Sequence, residues 1–176
     1  MKTFVYIATL LVFLSCNKSS DNTNTTNPPQ QSISYKVNGV SRSYTAVEQF
    51  KITKGIPPIS PYTFSYNISA AYLNNGITTE AIYLLVLSNT YSEIAVGNYY
   101  CQPPIMQGAT TWFVARLILV SGNVTTEYTG QTGDFSQVQI TKVQNGYIDG
   151  TFTASVTNGA QKLAITDGVF ANVKIN

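Results

Sequence analysis

The sequence predicts an all-β fold: a single antiparallel β-sandwich or barrel of about ten strands. Three observations carry that prediction. Short runs in which apolar and polar residues alternate recur along most of the chain, and a period of two is that of a half-buried strand. The pair Asn-Gly recurs at 38–39, 75–76, 145–146 and 158–159. Between alternating runs it favours a type I′ hairpin, which needs positive φ at both central residues. No stretch shows sustained helical periodicity with capping residues.

The strands follow in order. SISYKV and VSRSYTA flank Asn38-Gly39, with Ile33, Tyr35 and Val37 on one face. YTFSYNISAAYL (62–73) alternates in part, and AIYLLVL (81–87) is apolar on both faces. A buried helical turn is the other reading of 84–87, but the short run and the following Asn89 favour a strand. IAVGNYY (94–100), WFVARLILV (112–120), VTTEYT (124–129) and FSQVQITKV (135–143) come next, then YIDGTFTASV (147–156) and KLAITDGVFANVKI (162–175). In YIDGTFTASV, alternation places Phe152, Ala154 and Val156 on one face and Thr151, Thr153 and Ser155 on the other.

Two connections, KGIPPISPY (54–62) and CQPPIMQG (101–108), carry paired prolines. Proline cannot donate to a ladder, so both are loops. They bring Ile56, Ile59, Ile105 and Met106 toward Tyr62, Tyr99, Tyr100 and Trp112. At a common end of the domain they form a rigid apolar binding surface, which binds at low entropic cost. The structural alternative is that they cover a barrel end or an edge strand.

The first residues have a different character. Lys2 precedes an apolar run, Phe4 to Leu14, that ends Leu14-Ser15-Cys16. The run suits a signal-peptide core and is too short to cross about 30 Å of hydrocarbon. Its aliphatic–small–Cys ending resembles a bacterial lipoprotein signal. The resemblance implies cleavage before Cys16, diacylglycerol on its thiol and acylation of the new amine. An ordinary signal peptide with an incidental cysteine is the alternative. Several acyl chains on one residue anchor stably where one alone holds marginally. Residues 17–31, NKSSDNTNTTNPPQQ, contain no aliphatic or aromatic side chain and cannot offset the entropy of ordering. They read as a tether with a root-mean-square reach of roughly 20 Å, and roughly 50 Å drawn out. The expected organisation is a signal peptide over 1–15, a lipidated Cys16 with its tether over 16–31, and an all-β domain over 32–176.

Composition limits the chemistry. Charged residues are 10% of the 176 and the formal net charge is +2, so no clustered basic surface for nucleic acid is expected. The chain has no histidine and two cysteines. That excludes Ser-His-Asp and Cys-His catalysis, and with Cys16 lipidated it excludes a structural zinc site. Cys101 then has no partner and reads as a small buried hydrophobe rather than a reactive thiol. No phosphate-binding glycine motif occurs, and no cofactor or metal is expected. Beyond the tether the carboxylates are Glu48, Glu80, Glu93, Glu127, Asp134, Asp149 and Asp167. A glycan hydrolase needs a spaced pair of them, and sequence places no pair. Asp149-Gly150 and Asp167-Gly168 read as turns or bulges before calcium ligands. Arg116 shares a strand face with Val114, Ile118 and Val120. It is either ion-paired, with Glu80 or Glu127, or an anchor for an acidic ligand or sugar.

ITKVQNGYIDGTFTASVTNG followed by LAITDGVFANVKI resembles uncharacterised β-rich lipoproteins of Bacteroidetes-type bacteria, which carry similar Gly/aromatic signatures. YKVNGV and IAVGNYY resemble their opening hairpin and "G.Y" strand. The resemblance implies an all-β envelope lipoprotein and no activity. Together these readings predict a non-catalytic protein held at the outer membrane or cell surface, its domain in the periplasm or outside the cell, binding a partner protein or glycan. Tyr62, Tyr99, Tyr100, Met106, Trp112 and Arg116 are the candidate surface. A lipocalin-like carrier of a small apolar ligand is the first alternative, and a carboxylate-dependent glycan hydrolase the second.

Overall fold

A computed structural model of the chain describes residues 30–45, 50–55, 62–74, 77–90, 93–101, 111–131 and 134–175. These hold eleven strands and no helix. They are β1 (Ser32–Val37), β2 (Val40–Tyr44), β3 (Phe50–Gly55), β4 (Phe64–Asn74), β5 (Ile77–Ser88), β6 (Gly97–Tyr100), β7 (Thr111–Ser121), β8 (Val124–Thr129), β9 (Gln137–Gln144), β10 (Tyr147–Thr157) and β11 (Lys162–Lys174). All pair antiparallel in one sheet of order β2-β1-β11-β10-β8-β7-β5-β4-β3, with β9 on β10 and β6 on β9. Among the described residues the sheet does not close on itself. It curls instead, so that β11 lies against β3 and β2 against β4.

Curling buries one face of every strand. Ile33, Ile52, Ile68, Ile82, Leu84, Phe113, Leu117, Val138, Ile140, Phe152 and Phe170 all join one hydrophobic cluster. Burying each such side chain contributes about 1.5–3 kcal/mol. β10 reaches across the turn of the sheet. Residues 147–153 pair with β9, and Thr157 pairs with Thr129 of β8. Between the two ladders the buried Ser136 hydroxyl accepts the Ser155 N–H at 3.0 Å, so that donor is satisfied where the ladder breaks.

The Asn-Gly pairs divide by geometry. Asn38-Gly39 and Asn145-Gly146 have positive φ at both residues (46° and 83°, 53° and 77°), as the type I′ turn requires. Asn75-Gly76 lies outside the described residues. Asn158-Gly159 does not form a two-residue hairpin. Thr157 pairs with Lys162, and Asn158 Oδ1 accepts the N–H groups of Ala160 and Gln161 at 3.0 and 2.8 Å. The asparagine caps a longer loop with its side chain. A further tight turn, Gly122-Asn123 between paired Ser121 and Val124, has positive φ at the glycine alone (59°).

Two Gly/Phe pairs fix β10 on β11. Gly150 opposes Phe170, and Phe152 opposes Gly168. A Cβ on Gly150 would stand 2.3 Å from the Phe170 ring and 2.4 Å from the Gln139 carbonyl oxygen, and one on Gly168 would stand 2.5 Å from the Phe152 carbonyl oxygen. Each ring covers the glycine opposite, and the two rings stack at 6.3 Å. The Gly/aromatic signature is therefore a packing device. Gly150→Ala, which must push against backbone, is expected to cost at least about 1–3 kcal/mol. Urea denaturation should show it as a lowered midpoint. An unchanged midpoint would refute the interlock.

Candidate functional site

Three places outside the apolar cluster concentrate polar chemistry. The first is the Glu80 cleft. Glu80 shares the inward face of β5 with Ile82, Leu84 and Val86, and is only 7% exposed. Tyr35 Oη donates to its Oε1 at 2.7 Å, Tyr44 Oη donates to the same oxygen at 2.9 Å, and Arg42 Nε donates to Oε2 at 2.8 Å. The two hydroxyls are 3.0 Å apart, but each has one hydrogen and both aim at Glu80. Burial, then the neighbouring Tyr44 and Glu80, drives the Tyr35 pKa far above the ordinary tyrosine value. Burial likewise raises Tyr44, with Glu80 adding to it. The hydrogen bond to Glu80 raises Arg42. Outward of the carboxylate lies a cleft of about 490 Å³ lined by Ser41, Arg42, Ser43, Tyr44, Tyr72, Thr79 and Glu80. With both oxygens engaged, Glu80 is poorly placed as a base or nucleophile and well placed as a tie.

The second is the outer face of β4, β5, β7 and β8. In register, Asn67 opposes Leu85 and Leu85 opposes Val114, while Tyr83 opposes Arg116 and Arg116 opposes Thr129. Arg116 is half exposed. Its Nη2 meets Glu127 Oε2 at 2.6 Å, and its guanidinium lies 5.7 Å from the centre of the Tyr83 ring. These residues line a cleft of about 300 Å³. Asn67 Oδ1 is buried there without a hydrogen-bond partner, an uncommon state for a polar atom. At the end of the same face Tyr62 stacks on Trp112 at 6.0 Å and 19°. The Trp112 N–H has no partner of good geometry but influences the Cys101 thiol. Burial chiefly, and Asp134 next, push that thiol up, and Trp112 opposes them. Cys101 is half-buried rather than fully enclosed.

The third is a groove of about 430 Å³ on the outer face of β9, β10 and β11. Gln137, Gln139, Thr151, Thr153, Asp167 and Val169 line it over Phe152 and Gly168.

The residues singled out in the sequence separate accordingly. Trp112 and Arg116 share the second face, while Tyr62 corrects the expectation in part: it is 7% exposed and packs beneath Trp112 rather than presenting its ring to solvent. Tyr100, 37% exposed, stands beside the third. Tyr99 corrects the expectation: it is 1% exposed, points into the core, and donates its hydroxyl to the Ala95 carbonyl at 2.9 Å. Adjacent strand residues face opposite ways, so Tyr99 and Tyr100 cannot share a surface. Cys16 and Met106 lie outside the described residues. Arg116 pairs with Glu127, because the face it shares with Val114, Ile118 and Val120 is the outer one.

Five carboxylates are matched with cations: Glu80 with Arg42, Glu127 with Arg116, Asp134 with Lys162, Asp149 with Lys142 and Asp167 with Lys36. Glu93 is exposed and Glu48 lies outside the described residues. No group of three potential metal ligands occurs among the described residues. Asp149 also accepts the Asn172 N–H at 2.6 Å, and Asp167 has φ 52° in a bulge of β11, so both Asp-Gly pairs serve the backbone. The Glu80 tie and the amide-lined groove were not singled out in the sequence. Glu80 had a signal, since it alternates in phase with Ile82, Leu84 and Val86.

Comparison with protein-family models, curated proteins and solved structures finds no match.

The buried phenols give a pH prediction. Their raised values mean that the folded chain keeps protons which the unfolded chain releases. The resulting stability is fully present below the ordinary tyrosine pKa of about 10 and is lost as pH climbs toward the folded-state values. Denaturation free energy should be level from about pH 7 to 8, begin to fall as the Cys101 thiol of the unfolded chain titrates, and fall further above about pH 10, by up to about 1.4 kcal/mol per pH unit for each such phenol. Tyr35→Phe should make the fall shallower. An unchanged slope would show that Tyr35 is not held protonated by the fold.

Proposed function

We propose that the protein is a lipid-anchored envelope protein whose β domain is a non-catalytic binding module for a partner protein or glycan. The Leu-Ser-Cys16 junction and the polar segment behind it support the anchored location, and the resemblance to β-rich bacterial lipoproteins agrees with it. The engagement of Glu80, Glu127, Asp134, Asp149 and Asp167 by cations favours binding over hydrolysis. The packed aromatic and aliphatic cluster inside the sheet favours it over carriage of an apolar ligand, because the interior is filled by side chains and the described clefts open outward.

The observation that carries the binding reading is the second face. A part-exposed Trp112 backed by the buried Tyr62, a half-exposed arginine over a tyrosine, and a buried amide oxygen lacking a donor lie on one sheet surface. Aromatic rings and arginine contribute heavily where surfaces meet, and Asn67 Oδ1 gains most from a partner that supplies a donor.

Two measurements test this. In cells fed a labelled fatty acid, the native chain should take up label and mature, whereas Cys16→Ser should remain an unlabelled precursor. Normal labelling of that variant would sink the anchor. Envelope material captured by the domain should be held at least tenfold more weakly after Tyr83→Ala with Arg116→Ala, which corresponds to about 1.4 kcal/mol. Equal capture by a stably folded double variant would move binding away from this face.

A further inference from the structure

The groove on β9, β10 and β11 has a chemistry of its own. β6 extends its face. Asn98 opposes Gln139, which opposes Thr151, which opposes Val169; beside that row Tyr100 opposes Gln137, which opposes Thr153. The alternate residues Tyr99, Val138, Ile140 and Phe152 point into the core, so the first set faces outward as a grid. Strands about 4.8 Å apart give a four-strand row a span of roughly 14 Å.

The groove is shaped by a bulge. β11 bulges between the partners of Phe152 and Ala154, which sets Asp167 at positive φ on the groove wall. Gly168 opposes Phe152 and lets that ring pack against its backbone from the core side, where a Cβ would collide with the ring at 2.6 Å. The walls carry amides, hydroxyls, the apolar Val169 and one carboxylate, Asp167, which is paired with Lys36. Gln137 Nε2 donates to Asn98 Oδ1 at 3.1 Å, which orients two amides and leaves the Gln137 oxygen and the Asn98 NH₂ for a ligand. Gln139, Thr151 and Thr153 make no side-chain hydrogen bond to another described residue.

Charge decides the class of occupant. Asn98, Tyr100, Gln137, Gln139, Thr151, Thr153 and Val169 carry no formal charge. The ions at the rim cancel pairwise, Lys36 with Asp167 at 2.8 Å and Lys142 with Asp149 at 3.6 Å. Such a face offers no net attraction to phosphate, uronate or basic peptide. It offers donors and acceptors in alternation, which sugar hydroxyls use as both donor and acceptor. Tyr100, 37% exposed, and Val169, 45% exposed, supply apolar surface for the C–H faces of sugar rings. Preset amides lower the ordering cost of binding, and the repeated rows favour a polymer over a monosaccharide.

We infer that this outer face binds an uncharged polysaccharide laid across β6, β9, β10 and β11. The inference deepens the binding-module reading, on which it rests, by naming one ligand class and its site. The test is affinity electrophoresis of the full-length protein in mild detergent, through gels holding a β-glucan, an α-glucan or a galactomannan, with polygalacturonate as the anionic comparator. At least one neutral polymer should retard the native chain, and polygalacturonate should not. Gln139→Ala with Thr151→Ala, both on the solvent side, should weaken retardation at least tenfold while the urea midpoint stays unchanged. Single Gln139→Ala serves if the pair fails to fold. No retardation by any neutral polymer, retardation unaltered in the variant, or retardation by polygalacturonate alone would overturn the inference. Failure here with capture still governed by Tyr83 and Arg116 leaves the binding-module reading standing. Release of reducing ends from a bound polymer would instead overturn the non-catalytic reading while keeping the site.

Discussion

The carboxylate of Glu80 ties together strands that the backbone ladder leaves apart. Along the sheet, β5 is separated from β1 by β7, β8, β10 and β11, yet its Glu80 takes hydrogen bonds from Tyr35 of β1 and from Arg42 and Tyr44 of β2. An open sheet gains from curling because that buries its apolar face, but burial alone is non-directional and accepts many curvatures. Three donors converging on one buried carboxylate accept few. Removing the carboxylate from water costs several kcal/mol, and the charge-assisted bonds offset that only when all three are in place. The cluster thus selects one curl, and the positions of both outer faces follow from it.

Those faces differ because alternation writes them separately. On β4, β5, β7 and β8 the outward residues are Asn67, Tyr83, Leu85, Val114 and Arg116, an apolar surface with one ion pair. On β6, β9 and β10 they are Asn98, Tyr100, Gln137, Gln139, Thr151 and Thr153, an uncharged polar grid. The core contains no equivalent variety. Five of the described carboxylates are matched with cations, which helps keep such faces distinct.

Much of the fold was legible in the sequence because strands obey local rules. Period-two runs located most of the strands, and Asn38-Gly39 and Asn145-Gly146 behaved as their positive φ preference demands. What the sequence left open is set by tertiary pairing. Asn158-Gly159 carries the same dipeptide, but the pairing of Thr157 with Lys162 lengthens the loop and the asparagine side chain caps it. Alternation shows that Arg116 accompanies Val114 and Ile118. It does not say that theirs is the outer face, since Phe113, Ala115 and Leu117 are equally apolar. Likewise it separates Tyr99 from Tyr100 without saying which is inside. The Glu80 tie joins residues far apart in sequence, and the groove depends on a bulge in β11.

A double-mutant cycle across the tie tests this account most directly. Tyr35→Phe, Glu80→Leu and the double variant are compared with the native chain by urea denaturation at pH 7. If Glu80 holds β1 to β5, Tyr35→Phe should destabilise the native background and do little once Glu80 is gone, with a coupling of about 1–3 kcal/mol. Additive effects, with a coupling below about 0.5 kcal/mol, would mean that the sheet keeps its curl without the tie.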